Sequence, residues 1–210
     1  MNMRSGGDLT ARAVIRHRAL ELFADRGPDA VTVRDIAASA DVSPALVLHH
    51  YGSKAGLVAA VNEDVAAVFD DALAAMAQRP EVLTGGPVAA GGVAELMLTA
   101  LPAGSPVPAY LRRLLLSGDQ VGRSLFTRWY DASLTLTRRL VEAGRLRPTQ
   151  DPAVRAAFLL ANDLALVLLR DHLTDALGVD PLTREGMQRW AAEVLSAYAH
   201  GVFAPEEDLS

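Results

Sequence analysis

The sequence contains no cysteine, one lysine (Lys54) among 20 basic residues, and only 5% aromatic residues in a chain of 210. Without cysteine the chain has no disulfide framework, no thiolate-ligated zinc, no iron–sulfur cluster and no thiol nucleophile. The Gly-Lys-Ser/Thr, Gly-x-Ser-x-Gly and His-Glu-x-x-His motifs and an EF-hand loop are also missing. These absences argue against an enzyme, and we predict no cofactor and no metal ion.

Basic residues are fewer than acidic ones: the chain has 20 of the former and 25 of the latter, which gives a formal net charge of −5. Taken alone, this charge argues against a nucleic-acid partner, which requires a positive surface. The charge is unevenly distributed, however: residues 1–57 carry seven basic and six acidic side chains, whereas residues 58–210 carry 13 and 19. The acidity therefore lies outside the N-terminal quarter, and DNA binding by that quarter is not excluded.

Long hydrophobic runs are absent. Residues 1–10 are polar and lack the apolar segment of a signal peptide. The most apolar stretch, residues 156–169, is interrupted by Asn162 and Asp163 and is too short to span a bilayer. We expect a cytoplasmic protein.

Apolar residues recur at intervals of three and four over most of the chain, whereas convincing strand-like alternation is not found. Ile15, Ala19, Leu22 and Phe23, for example, form one stripe of the first helix. The pattern predicts an all-α fold of about nine helices. Their expected bounds are residues 10–26, 32–40, 44–50, 54–77, 93–101, 108–116, 119–143, 153–177 and 183–203.

The ends of these helices carry residues suited to capping. Turns are expected around residues 80–108, where five prolines and the Gly-Gly pairs 85–86 and 91–92 surround one short helix. The predicted caps are Gly27-Pro28, Thr32 with Asp35, Ser43-Pro44, Ser53, Gly144 and Asp151-Pro152.

Two short helices joined by a tight turn and preceded by another helix predict a helix-turn-helix. Ile36, Ala37 and Val47 are apolar where the two helices cross, and Val42 can fill the turn. The second helix begins at Ser43-Pro44, and no acidic residue occurs between residues 44 and 51. The N-terminal end of this helix is the part that enters a major groove in such modules.

The run of residues 30–57 resembles the DNA-binding domain of TetR-type transcriptional regulators, and residues 19–27 are similar to the first helix of that family. The close match covers residues 10–57; beyond it, Gly144-x-Leu146-Arg147-Pro148 also resembles the family. The resemblance implies a dimer that binds a palindromic operator and is released by a small ligand. It divides the chain into a DNA-binding domain, 1–57, and a ligand-binding and dimerisation domain, 58–210.

The resemblance also implies which residues contact DNA. Ala45, Leu46 and Leu48 depart from the family's usual glycine, threonine and tyrosine, which favours apolar contacts with thymine methyl groups. Lys54 has an alternative interpretation as a solvated side chain, and Tyr51 as a core aromatic residue. The two adjacent histidines are expected to be surface or packing residues rather than metal ligands. The implied DNA contacts are Thr32 and Arg34 to the backbone, Ser43, Pro44, Ala45, Leu46 and His49 to base edges or adjoining phosphates, and Tyr51 and Lys54 to phosphate.

Helices 153–177 and 183–203 are the predicted homodimer interface. The first is apolar on most sides and the second carries an apolar stripe that includes Met187 and Trp190. A helix that is apolar all round must be buried all round, and a partner subunit supplies the missing cover. The alternative is that both stripes pack only within the monomer.

A ligand cavity is predicted around two polar residues of the apolar helix, Asn162 and Asp163. Either they pair with Arg155, Arg170 or a partner's backbone, or Asn162 points into a cavity beside Leu159 and Leu166. Aromatic residues of the central helix are alternatively plain core. The predicted cavity residues are Met97, Asp119, Gln120, Arg123, Phe126, Trp129, Tyr130, Leu159, Asn162 and Leu166.

We therefore predict a homodimeric transcriptional regulator, a repressor, that binds a palindromic DNA operator and is released by a small, mostly apolar effector. Two alternatives belong to other classes. A helical small-molecule carrier or enzyme would lack salt-dependent DNA affinity, and an interaction adaptor would bind a protein partner but no operator.

Overall fold

The computed structural model describes residues 6–78 and 86–200, and these residues form ten α-helices without a strand. The all-α prediction is thereby confirmed. The helices are α1 (Gly6–Arg26), α2 (Val33–Ser39), α3 (Pro44–Tyr51), α4 (Lys54–Gln78), α5 (Gly86–Ala100), α6 (Val107–Leu116), α7 (Gln120–Glu142), α8 (Pro152–Leu168), α9 (Arg170–Leu177) and α10 (Arg184–His200).

The capping residues predicted from the sequence lie at helix ends. The Oγ atom of Ser43 accepts a hydrogen bond from the N–H of Leu46 at 3.2 Å, at the start of α3. One carboxylate oxygen of Asp151 accepts from the N–H groups of Ala153 and Val154, both at 3.0 Å, at the start of α8. These side chains satisfy amides that have no partner within the helix.

The predicted single helix 153–177 is wrong, because α8 ends at Leu168 and α9 continues at an angle of 78°. Leu169 at the break has φ −110° and ψ 18°. The first residue after it, Arg170, forms a bidentate pair with Asp180, with N–O distances of 3.0 and 2.5 Å. The Arg170–Asp180 pair holds the start of α9 in its new direction. The break at Leu169 divides one predicted helix into two, so the described residues form ten helices instead of nine.

The predicted short helix 93–101 is also corrected, because α5 begins at Gly86 and includes Gly91 and Gly92. Each glycine costs about 1 kcal/mol in a helix relative to alanine. Packing of α5 against α10 compensates: Ala94 belongs to a buried cluster with Met187, and Arg184 pairs with Glu95 at 2.8 Å. The predicted turn at residue 85 lies outside the described residues.

Two compact units are present. The first consists of residues 1–67 and 105–123, and the second of residues 68–104 and 124–210. In the first, Tyr110 of α6 is fully buried, lies 6.0 Å from the Phe23 ring, and donates its hydroxyl to Asn62 Oδ1 at 2.7 Å. α6 is therefore part of the same unit as α1 to α3, although a functional boundary near residue 57 remains a prediction.

Among the described residues, no single helix has both the length and the apolar character needed to cross a membrane. Only α8 and α9 taken together meet those limits, across their 78° bend.

Candidate functional site

The α2–turn–α3 segment has helix-turn-helix geometry. Thr32 begins α2 with a reciprocal cap: its N–H donates to Asp35 Oδ2 at 2.8 Å, and the N–H of Asp35 donates to Thr32 Oγ1 at 3.2 Å. The predicted contact residues Ile36, Ala37 and Val47 are 0–1% exposed. The helix crossing inferred from their spacing is confirmed.

The turn between α2 and α3 is closed by the backbone. Asp41 adopts a left-handed conformation with φ 53°, which aspartate tolerates better than most residues. The N–H of Val42 then donates to the carbonyl of Ala37 at 2.9 Å. This turn directs the start of α3 away from α2.

The outward face of α3 carries the residues predicted to read base edges. Ser43, Pro44, Ala45 and His49 are exposed, and Leu46 is half-buried. Leu48 also keeps 43% of its surface exposed, although a leucine is normally buried. A small, largely apolar surface without Asp, Glu, Lys or Arg is thus available to a groove.

Tyr51 at the end of α3 is held by α1. Its hydroxyl donates to the carbonyl of Arg12 at 2.6 Å, and the Arg12 guanidinium lies 5.4 Å from the centre of its ring. Burial raises the pKa of the Tyr51 hydroxyl above its usual value. This arrangement favours the interpretation of Tyr51 as a packing residue over that of a phosphate ligand.

Arg34 and Lys54 form no ion pair among the described residues of this unit. Arg34, in the first turn of α2, is exposed, and Lys54, the first residue of α4, contacts only the carbonyl of Asp29 at 3.4 Å. Other arginines of the unit are committed, Arg16 to Asp64 and Arg18 to Glu21. Thr32, at the N-terminus of α2, is exposed beside Arg34.

The second unit contains a cavity of about 100 Å³. Aromatic and aliphatic side chains dominate its walls, and Asp163 is the one charged lining residue. Both tryptophans of the chain line it. The lining residues are Phe69, Ala72, Met76, Met97, Leu101, Trp129, Leu160, Asp163, Leu164, Leu166, Val167, Leu182, Met187, Trp190 and Ala191.

Asp163 lies in the wall of the cavity and is exposed, although apolar side chains surround its carboxyl group on the cavity side. The resulting desolvation raises the pKa of its carboxyl group to about 6, and the amide of Asn162 opposes the shift. Nδ2 of Asn162 is buried close to this carboxyl group, but it forms no hydrogen bond of normal geometry among the described residues.

Three of the ten predicted cavity residues, Met97, Trp129 and Leu166, are brought together in the cavity. Four others belong to the same unit without lining it: Phe126 is 39% exposed, and Tyr130, Leu159 and Asn162 are half-buried.

The remaining three predicted cavity residues, Asp119, Gln120 and Arg123, belong to the first unit. There Asp119 accepts a hydrogen bond from the N–H of Gly122 at 2.8 Å at the start of α7, and this bond lowers the pKa of the Asp119 carboxyl. These residues serve a helix end rather than the cavity.

Sequence reasoning missed much of the cavity wall, namely Phe69, Met76, Met187 and Trp190. The sequence places Met187 and Trp190 on the apolar stripe of the predicted dimer interface, because helical periodicity does not show which neighbour covers a stripe. The signal that could have located the cavity is Asp163, a lone acid among apolar residues. Among the described residues, no group of three His, Asp or Glu side chains is arranged to hold a metal ion.

Large apolar side chains of α8, and of the break that follows it, are exposed within the described chain. Val154, Phe158 and Leu169 are 63%, 60% and 49% exposed. Tyr198 of α10 is 43% exposed, and its ring centre lies 6.4 Å from that of Phe158. We call these four residues the α8–α10 face.

Comparison with known proteins gives two family matches. The profile of "Bacterial regulatory proteins, tetR family" matches residues 15–61, and that of "Tetracyclin repressor-like, C-terminal domain" matches residues 104–204.

Individual proteins are similar over most of the chain. The HTH-type transcriptional regulatory protein RaaS of Mycobacterium tuberculosis is 36% identical over 157 residues, which cover 75% of this chain and 69% of RaaS. The HTH-type transcriptional repressor Rv3405c of the same organism is 31% identical over 190 residues, covering 89% and 87%. The structure of AibR in complex with isovaleryl coenzyme A and operator DNA superposes with a TM-score of 0.63 at 17% identity, covering 90% of this chain and 98% of that one.

Proposed function

The chain belongs to the TetR family of bacterial regulatory proteins and is a transcriptional regulator, and we propose that it represses transcription in the cytoplasm as a homodimer on a palindromic operator. The observation that carries this proposal is the helix-turn-helix with an uncharged, exposed α3 face, flanked by Arg34 and Lys54. Phosphate contacts by cations position such a module, and base-edge contacts specify the sequence.

The exposure of Arg34, Thr32 and most of the α3 face supports the assignment of individual DNA contacts. Arg34 and Lys54 contact phosphates on either side of the groove, and Thr32 adds a hydrogen bond at the N-terminus of α2. Ser43, Pro44, Ala45, Leu46 and His49 face the base edges. Ala45 and Leu46 supply apolar contacts, which select thymine methyl groups.

The α8–α10 face supports dimerisation. Four large, exposed side chains on adjacent helices form an apolar patch of the kind that soluble monomers seldom leave uncovered. A two-fold axis through this face would pair α8 and α10 with their copies in a four-helix bundle. The same axis would then relate the two α3 helices to two half-sites of an inverted repeat.

The cavity supports an effector role for the second unit. A small, mostly apolar molecule that binds there releases DNA if it favours a dimer arrangement whose α3 spacing no longer matches successive grooves. Such a ligand acts only through a difference in its affinity for the two arrangements. AibR was solved with both a ligand and operator DNA, which is consistent with this scheme for the fold.

The salt dependence of DNA affinity tests the proposed role of the helix-turn-helix in DNA binding. Fluorescence anisotropy with a labelled duplex, repeated over a series of salt concentrations, gives the slope of log affinity against log salt. Arg34→Ala and Lys54→Ala should each weaken binding to all duplexes and reduce the magnitude of the slope by roughly 1 per dimer-related contact.

The matched control is Arg139→Ala, which removes an exposed arginine of the second unit. It should leave affinity and slope unchanged. Equal effects of all three substitutions would contradict the assigned interface. Small-molecule binding without any salt-dependent DNA affinity would instead support a carrier.

A further inference from the structure

The carboxylate in the cavity wall has no counter-charge among the described residues. The two arginines nearest to Asp163 in sequence are engaged elsewhere: Arg155 donates to the carbonyl of Arg147, and Arg170 forms its bidentate pair with Asp180. No basic side chain contributes to the environment of the Asp163 carboxyl. A carboxylate that apolar neighbours partly desolvate, and that has no ion-pair partner, can gain from a cationic ligand.

The groups facing Asp163 do not neutralise it. Asn162 offers only an amide, and Tyr198 on α10 is close enough for the Asp163 carboxylate, together with burial, to raise the pKa of its hydroxyl to about 12. Tyr198 therefore stays neutral. Asp163 is left as an acceptor that no group of the described chain satisfies with a positive charge.

The cavity walls are suited to a cation carried on an apolar body. Phe69, Trp129 and Trp190 present aromatic rings, whose electron-rich faces attract cations. Nε1 of Trp129 donates to Asp70 Oδ1 at 3.2 Å, so its polar edge is already satisfied. Asp70 is in turn paired with Arg128, which leaves Asp163 as the unneutralised acid.

The volume limits the size of the ligand. A cavity of about 100 Å³ is somewhat smaller than an engineered apolar cavity of about 150 Å³ that binds benzene. Three methionines in the wall, Met76, Met97 and Met187, have flexible side chains that can adjust to an occupant. One ring or a short branched chain fits this space only if these methionine side chains move aside.

We propose that the cavity binds a small lipophilic amine, with its ammonium group against Asp163 and its apolar part between the walls formed by Trp129 and Trp190. The inference rests on the proposed effector role of the cavity and names the chemical class of the effector. Anionic ligands such as isovaleryl coenzyme A, the ligand named for AibR, would place negative charge toward the same carboxylate.

Intrinsic fluorescence tests this ligand class directly, because both tryptophans of the chain line the cavity. Three matched compounds are titrated at pH 7.5: 2-phenylethylamine, 2-phenylethanol and 3-phenylpropionate. They share a phenyl ring on a short chain and differ in carrying a positive charge, no charge and a negative charge. The amine should bind about tenfold more tightly than the alcohol, as expected for a charged hydrogen bond, and the propionate should bind least.

Variants of Asp163 test whether its carboxylate causes the preference for the amine over the alcohol. Asp163→Asn should abolish the preference for the amine over the alcohol, and Asp163→Glu should retain it. Asp131→Asn is the matched control, because Asp131 is an exposed residue of α7 in the same unit and does not line the cavity. Circular dichroism melting shows whether each variant is folded. Binding of 2-phenylethanol, which is uncharged, shows whether the cavity of each variant is intact.

The outcomes separate this proposal from the proposed function. Equal or tighter binding of the alcohol or propionate, an unchanged preference in Asp163→Asn, or no fluorescence change with the amine would each overturn the amine proposal. Operator affinity is measured in parallel by anisotropy. Amine binding that leaves operator affinity unchanged would uphold the ligand class but contradict the effector role, whereas absence of operator binding would contradict the proposed regulator alone.

Discussion

At the scale of single residues, Gly56 shows how tightly the end of α3 packs against α4. A β-carbon added at this position would lie 2.2 Å from the carbonyl oxygen of Tyr51, well inside contact distance. Because the obstacle is backbone, α3 or α4 would have to shift. Gly56→Ala should therefore destabilise the protein by about 2 kcal/mol, measured by urea unfolding.

Ala55→Ser is a suitable control, since Ala55 is exposed and the substitution also adds one heavy atom. It should change the free energy of unfolding by less than about 0.5 kcal/mol. Equal effects at the two positions would show that the contact between Gly56 and Tyr51 is not tight.

The raised pKa of Asp163 predicts how the stability of the protein depends on pH. Its pKa is about 6 in the folded state and ordinarily near 3.8, so the folded state binds the proton more tightly. The associated stability is present below pH 4 and is lost as the pH rises through 6. Asp163→Asn should therefore stabilise the protein at pH 7.5, by about 1 kcal/mol after allowance for the accessible surface of the side chain.

Urea unfolding at pH 7.5 and pH 4.5 measures this effect. The stabilisation by Asp163→Asn should shrink at the lower pH, and Asp131→Asn should show no such trend. A gain that is the same at both pH values would mean that the Asp163 carboxyl titrates normally.

The sequence could show that Asp163 is an anomaly but could not say what surrounds it. A lone acid in an apolar helix demands either a partner or a cavity, and both options were open. Which of them holds depends on Arg155 and Arg170, whose partners Arg147 and Asp180 are set by tertiary structure. Phe69 and Met76 join the cavity from α4 and Trp190 joins it from α10, a juxtaposition that helical periodicity does not contain.

At the scale of helices, α6 is tied to the end of α1 by Arg113. Its Nε donates to the carbonyl of Ala24 at 3.0 Å and its Nη2 to that of Asp25 at 2.5 Å. These carbonyls lie in the last turn of α1, where they lack helical partners and favour a positive charge. Arg113→Ala should destabilise the protein by about 1 kcal/mol, measured as a shift in the urea midpoint.

Arg113→Lys should recover part of this loss, because lysine keeps the charge but lacks the forked pair of donors. Arg139→Ala, which removes an exposed arginine of α7, should have little effect. If Arg113→Ala behaves like Arg139→Ala, the contact between α6 and α1 contributes no stability.

Helix starts could be predicted because their causes are local. Thr32, Ser43 and Asp151 each cap a helix by accepting a hydrogen bond from an amide two or three residues away. A sequence pattern over four residues is therefore sufficient to predict these helix starts. The break at Leu169 has no local cause, since neither glycine nor proline occurs there. Gly91 conversely has a local signal for a turn, which the packing of α5 on α10 overrides.

At the scale of the whole molecule, the α8–α10 face predicts a dimer that one substitution can disrupt. Phe158 is 60% exposed and contacts Tyr198 within this apolar patch, and a glutamate at this position would place a charge in the proposed interface. Phe158→Glu should convert a dimer into a monomer of 22.3 kDa, measured by sedimentation velocity. Its affinity for a palindromic duplex should fall together with the dimer fraction.

Leu116→Glu is the control, because Leu116 of α6 is 66% exposed and lies outside the α8–α10 face. It should leave the oligomeric state unchanged. A Phe158→Glu protein that remains dimeric would move the interface elsewhere.

The distribution of charge can be predicted from the sequence, but the division into units can be predicted only in part. The acidic excess of residues 58–210 predicted which end of the chain could approach DNA. The inclusion of residues 105–123 in the first unit could not be predicted, because it depends on Tyr110 reaching Phe23 and Asn62 across the sequence. The same long-range packing explains why Asp119, Gln120 and Arg123 lie in a different unit from the cavity.

The central claim is that two copies of α3, related by a two-fold axis, read the two halves of an operator. Selection of bound sequences from a random duplex pool by the full-length protein tests it most directly. The account predicts an enriched inverted repeat whose half-site centres are about 10 base pairs apart or a multiple of that, with enrichment lost in Phe158→Glu. Failure to enrich any sequence, or enrichment of a single site without two-fold symmetry, would contradict it.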